Sequence, residues 1–322
     1  MYRLALSIII TLLPFLGLAA SESSEIKYSK TITVATDGTG DFTTIGDALK
    51  KVKGDFEDPV RIFVKNGVYN EKLLINYTVN NLTLEGESPD STIITFGDYA
   101  SLRNMGTSGS YTLRVDGNNI TLKNLTIENS AGSVGQAVAL HTTGDKIHVT
   151  GCRILGNQDT LYASGRNARA LFDNCYIEGT VDFIFGAATA LFRNCHIHAK
   201  SDSYLTAAST AADNPVGYVF HKCKVTAAPD VTKLHLGRTW RPYASTFFIG
   251  CELPGAIVPQ GWHNWGNSDN EKTARYGEYK CYGKGSDESG RVTWRTRLSD
   301  SDAARLTDPT VIFAKSSDWK IK

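Results

Sequence analysis

One short pattern returns along the middle of this chain and limits its fold more than any other feature. Six segments align without gaps: Thr121-Leu-Lys-Asn-Leu125-Thr-Ile127, His148-Val-Thr-Gly-Cys152-Arg-Ile154, Leu171-Phe-Asp-Asn-Cys175-Tyr-Ile177, Leu191-Phe-Arg-Asn-Cys195-His-Ile197, Val219-Phe-His-Lys-Cys223-Lys-Val225 and Phe247-Phe-Ile-Gly-Cys251-Glu-Leu253. Each is a β-rich run with a polar or glycine break just before a Leu or Cys. A weaker copy is Asn81-Leu-Thr-Leu84, and successive cysteines lie 23, 20, 28 and 28 residues apart. Strands returning at this spacing, with no helical periodicity between them, predict an all-β parallel β-helix whose coils stack into a solenoid. An antiparallel sandwich is the competing architecture, but Asn-Gly and Asp-Gly hairpin turns do not punctuate the repeats.

In such a stack, equivalent side chains lie one above another. Leu125, Cys152, Cys175, Cys195, Cys223 and Cys251 then form one interior ladder, with cysteine acting as a small hydrophobe. Parallel side chains fit disulfide torsions poorly, so mostly reduced thiols are expected. Both solenoid ends need covers. Residues 44–52 read as a capped short helix closing the N-terminal end. Residues 299–306 read as a helix in the C-terminal tail. The stretch 255–297 shows no repeat and is expected to pack along the outside.

Two carboxylates occupy the same place in consecutive repeats: Asp159 and Asp182 each lie seven residues after a ladder cysteine. Stacked coils would set them one strand spacing apart, about 4.8 Å. At an effective dielectric of about 20, such a pair repels by roughly 3 kcal/mol, or about 2 pKa units. That separates an acid from a base or nucleophile, if a cation selects the one that stays charged. Asp182, flanked by Val181 and Phe183, needs such a cation, and Arg238 in Leu236-Gly-Arg-Thr-Trp240 is the natural candidate. Asp202 shares the offset but sits in Lys200-Ser-Asp-Ser, read as an outward loop. His196 and His198 alternate on one strand, a pair read as ordinary surface or core residues.

Length and charge restrict the remaining classes. The chain has 322 residues and a formal net charge of +1, without the basic excess of a nucleic-acid binder. Residues 1–20 carry Arg3, an apolar run over 4–18 and Ala19-Ala20, the make-up of an export signal. Its removal takes away one cation and no acid, so +1 becomes zero. Residues 21–322 then form a single domain, with no membrane association after cleavage. Asn76, Asn81, Asn119 and Asn124 each begin an N-x-Thr sequon, read mainly as ordinary turn and strand residues. The chain has no CxxC pair or HExxH, so no zinc site is expected. It has no P-loop or GxGxxG for a nucleotide and no GxSxG for a serine nucleophile.

Five motifs in order resemble the signature motifs of the pectin methylesterases: Gly67-Val-Tyr69-Asn-Glu71, Gln136-Ala-Val-Ala-Leu140, Gln158-Asp-Thr-Leu161, Asp182-Phe-Ile-Phe-Gly186 and Leu236-Gly-Arg-Thr-Trp240. Asp37-Gly-Thr-Gly-Asp-Phe42 is similar to that family's N-terminal segment. The resemblance runs from about Val34 to the C-terminus, in the short form without an inhibitor-like pro-region. It implies a right-handed parallel β-helix that removes methyl esters from homogalacturonan without a cofactor. The export signal would place it in a cell wall, a periplasm or the medium, and a monomer is the default oligomeric state. It makes Asp182 the nucleophile and Asp159 the general acid and then base. Gln136 and Gln158 become oxyanion donors, and Arg238 the partner of Asp182. Trp240, Tyr162 and Phe185 line the sugar groove. Thr239 departs from the family's usual Pro, which is expected to affect loop rigidity more than chemistry. A pectin glycoside hydrolase or lyase, or a non-catalytic β-helix, would differ in product: shortened chains, unsaturated ends or none.

Overall fold

The computed structural model describes residues 27–52, 54–313 and 319, so the export-signal reading of residues 1–20 lies outside them. Three parallel sheets of ten, eight and seven strands wrap one interior. A single coil shows the path. Ile147–Thr150 lies in the ten-stranded sheet, Arg153–Leu155 in the seven-stranded and Leu161–Ala163 in the eight-stranded. Arg169–Asp173 then returns to the first sheet one rung on. This is a parallel β-helix.

The polar break in each repeat is the corner between two of these sheets. Asn124, Gly151, Asn174, Asn194, Lys222, Gly250 and Lys280 all have φ between 47° and 61°. One left-handed residue turns the chain there. Asn and Gly tolerate that conformation best, which explains their recurrence before the Leu or Cys. Asn81 and Asn119 occupy a second set of left-handed corners, and the Asn119 side-chain amide donates to Asn81.

Inside, the ladder from Leu125 through Cys251 is buried, and every cysteine is free. From Cys175 onward each ladder thiol donates to a carbonyl of the preceding coil, as Cys175 does to Val149 (3.3 Å) and Cys195 to Phe172 (3.4 Å), while Cys152 donates to Thr150 in its own coil. A second ladder, of Phe172, Phe192, Phe220 and Phe248, stacks with ring centroids 4.4–4.7 Å apart. Offset stacking adds to the burial of each ring.

The N-terminal end is closed by the helix Ile45–Lys51. Thr44 caps it by accepting from the Asp47 N–H, and Ile45, Ala48 and Leu49 are buried. At the other end, the expectation for 255–297 needs correcting. Arg275–Tyr279 pairs with Ser245–Ile249 as the tenth strand, and Trp262–His263 pairs with Leu234–Thr239. Cys281 extends the thiol ladder, donating to the Phe248 carbonyl at 3.4 Å. The stretch is a further coil hidden by longer loops, not an external wrap. Its loops are fastened inside by Arg291 and Glu278, an ion pair with side chains 1% and 0% exposed. The helix Asp300–Thr307, capped by Ser299, lies in the expected place. With Leu298 and Phe313 it covers Leu171, Leu191, Val219 and Phe247 on the outer face of the ten-stranded sheet.

Candidate active site

Asp159 and Asp182 sit in the loops that pass from the seven-stranded to the eight-stranded sheet in consecutive coils. Their strands are in register, with Leu161 opposite Ile184, and the Asp159 N–H donates to the Val181 carbonyl at 3.0 Å. Both are left-handed, at φ 64° and 51°. Asp accepts that conformation more readily than most residues, but it still carries strain, which concentrates at functional sites. The bend into the Asp182 loop is tight. A Cβ at Gly179 would lie 2.2 Å from Phe183 Cβ, so only glycine fits.

Arg238 reaches Asp182 from two coils on. Its Nε donates to Oδ1 at 2.8 Å and its Nη2 to Oδ2 at 2.5 Å. This forked geometry is the strongest form of carboxylate pairing. Gly237 makes the approach possible, because a Cβ there would meet Thr206 Oγ1 at 2.1 Å. Asp202, by contrast, faces outward and accepts from the Thr232 and Lys233 N–H groups, as the loop reading expected.

The two carboxyls sit in unlike fields. Asp159 is 8% exposed, and burial, then the neighbouring charge on Asp182, push it from 3.8 up to about 8. That exceeds the 2 units expected from repulsion alone, because desolvation is the larger cause and the sequence does not disclose it. Burial also raises Asp182, while Arg238 opposes the rise through its hydrogen bonds and charge. The expected asymmetry is present, but it works by restraining Asp182 rather than by depressing it.

These groups open onto a cleft of about 470 Å³, which Gln136 and Gln158 also line. The Ala137 N–H donates to the Gln158 carbonyl at 3.1 Å, joining the two loops that carry the amides. Along one wall His141, Tyr162 and Phe185 stack with centroids 4.3 and 4.2 Å apart. Trp240 stands edge-on to Tyr162 and Phe185, at 6.4 and 5.9 Å. Flat aromatic faces above convergent polar groups suit a sugar chain. All eight residues singled out from the sequence meet in this one cleft.

Others were missed. Thr107 and Ser108 form part of the rim, and Trp265 packs its ring over Arg238. Thr107 and Ser108 lie on the short 3-10 turn Thr107–Gly109 and Trp265 on a loop, where no periodicity marks them. Thr239 also does more than the sequence suggested. Its hydroxyl accepts from Asn270 Nδ2 at 2.8 Å, and the same amide reaches the Asn264 carbonyl at 3.2 Å. The residue standing in place of proline thus anchors the loop that carries Trp265. Among the described residues no three His, Cys, Asp or Glu side chains gather as a metal site.

The pectinesterase family model matches residues 31–315. Pectinesterase 31 of Arabidopsis thaliana is 37% identical over 290 residues, covering 86% of this chain and 90% of that protein. Probable pectinesterase/pectinesterase inhibitor 58 of the same plant is 35% identical over 89% of this chain, but over 52% of its own length. The pectin methylesterase from carrot superposes with a TM-score of 0.84 at 32% identity, over 91% of this chain and 95% of that one. A pectin methylesterase solved in complex with a hexasaccharide gives 0.77 at 30% identity, over 91% and 98%. With the family model matched over most of its length, this chain belongs to the pectinesterases, enzymes that hydrolyse carboxylic esters.

Proposed function

We propose that this protein demethylates methyl-esterified homogalacturonan, with Asp182 as nucleophile and Asp159 as proton carrier. The observation that carries the reading is one stacked carboxyl pair with two different environments. An Asp182 oxygen attacks the ester carbonyl carbon, and the carbonyl oxygen becomes an oxyanion. The side-chain amides of Gln136 and Gln158 border the same cleft and donate to that oxygen, a contribution that grows as charge develops. The tetrahedral species collapses by breaking the bond to the methoxy oxygen, which takes the proton of Asp159 and leaves as methanol. An acyl anhydride on Asp182 remains. Asp159, now ionised, takes a proton from water as that water attacks the anhydride, releasing the free carboxylate of the polymer and restoring both residues. Arg238 keeps Asp182 anionic and fixed in orientation. The stack of Tyr162 and Phe185, with Trp240 beside it, holds the sugar rings.

A solved relative in complex with a hexasaccharide supports an oligosaccharide occupant for this cleft. Residues 1–20, as an export leader, would place the enzyme outside the cell, where such a polymer is met. The test is methanol release from highly methylated pectin. Asp182→Ala abolishes it while the thermal melt stays cooperative, and chelation by EDTA leaves the native rate unchanged. Methanol release by Asp182→Ala would sink the nucleophile assignment. Unsaturated or shortened chains would point instead to a lyase or a glycosidase.

A further inference from the structure

Arg238 is held by more than Asp182. Its guanidinium carbon lies 4.1 Å from the Tyr204 ring centroid and 3.7 Å from that of Trp265. Two rings cannot share one side of a planar group at that distance, so one lies on each face. Trp265 borders the cleft, but Tyr204 is not among the residues that do. Tyr204 is opposite His235 in the sheet register, and its carbonyl accepts the Asp182 N–H at 3.0 Å. It also stacks on His235, with centroids 4.9 Å apart, and His263 lies 5.4 Å away. The ring is therefore packed against two imidazoles as well as the guanidinium, and is not free to move away from it.

We propose that Tyr204 is a positioning residue whose ring holds the Arg238 guanidinium in the plane that pairs its Nε and Nη2 with the two Asp182 oxygens. This rests on the reading of Asp182 as nucleophile. A guanidinium free to tilt would keep one hydrogen bond and lose the other, and the attacking oxygen would lose its fixed direction. Arg238 reaches across Ala207, its neighbour in register, whose small side chain gives no lateral support. The aromatic faces supply what the strand does not. A desolvated cation–π contact has the strength for this task. The titratable groups around Arg238 are Asp182, Asp159, His235 and His263. Burial, then the neighbouring His263, bring His235 down to about 4, and His263 is lowered too.

The experiment compares Tyr204→Leu, Tyr204→Met and Tyr204→Phe with the native enzyme on highly methylated pectin. Two ring-less variants keep the outcome independent of how either one folds. Tyr204→Phe retains the ring and the native rate. Each ring-less variant lowers kcat about tenfold to thirtyfold, the loss of one desolvated cation–π contact, with KM within about twofold. The acidic limb of the kcat/KM profile moves to higher pH, because the cation opposing burial at Asp182 is no longer square to it. In an Arg238→Lys background the same substitutions cost nothing further. An unchanged kcat and an unmoved acidic limb in a folded ring-less variant, with Asp182→Ala inactive, would overturn the positioning role alone. An active Asp182→Ala would overturn the reading beneath it.

Discussion

Asp159→Asn separates what this site costs from what it does. The folded Asp159 carboxyl is raised to about 8 against an ordinary 3.8, chiefly by burial. Between those values the folded chain holds a proton that the unfolded chain releases. Stability is therefore fully present below about pH 4 and is lost progressively as pH rises to about 8. At 1.36 kcal/mol per unit, the two units up to pH 6 amount to about 3 kcal/mol, and the full interval to roughly 6 kcal/mol before water in the cleft relaxes part of it. Asparagine is close in shape to the protonated acid, tolerates φ near 64°, and does not ionise. The variant should match the native protein near pH 4 and exceed it by about 3 kcal/mol at pH 6, or roughly 5 to 10 °C in Tm. Its advantage should grow further to pH 8. Denaturant titrations of both proteins at pH 4, 6 and 8 measure this directly, and methanol release measures the function given up. A difference that stays constant from pH 4 to 8 refutes the raised carboxyl. A variant that still releases methanol at the native rate refutes Asp159 as the proton carrier.

Other parts of the molecule give their own tests. With all six cysteines free and five of them buried, native protein should react with a thiol reagent at Cys281 alone, and denatured protein at all six. Reductant should leave Tm unchanged. Arg291→Met strands the Glu278 carboxylate in the last coil, where its side chain is 0% exposed. We expect a loss of about 3–5 kcal/mol in chemical denaturation, and a shift under 1 kcal/mol would show that the pair is dispensable. Thr239→Val removes the hydroxyl that accepts from Asn270. About 1 kcal/mol of stability should go with it, along with a higher KM as the loop bearing Trp265 loosens.

Much of this was legible before folding because a solenoid converts sequence period into spatial coincidence. The break before each Leu or Cys marked the corners, and equal offsets after Cys152 and Cys175 marked the aspartate pair. The coil after Cys251 escaped notice. Its strands Trp262–His263 and Arg275–Tyr279 are separated by a turn-rich loop, and the residues before Lys280, Gly277-Glu-Tyr, lack the apolar second residue of the other repeats. Left-handed Lys222 and Lys280 show that the corner demands a conformation more than a residue type.

What the sequence determined by itself was the list of groups and their order along the stack: two carboxyls on neighbouring rungs, two amides before them, one guanidinium after. Their energies were decided by tertiary structure. Desolvation, not repulsion, dominates the shift at Asp159, and burial depends on what every other coil places around the cleft. The same holds for Arg238. Tyr204 and Trp265 are distant from each other in sequence, and only the winding of the coils brings one ring to each face of a guanidinium that its own strand leaves unsupported.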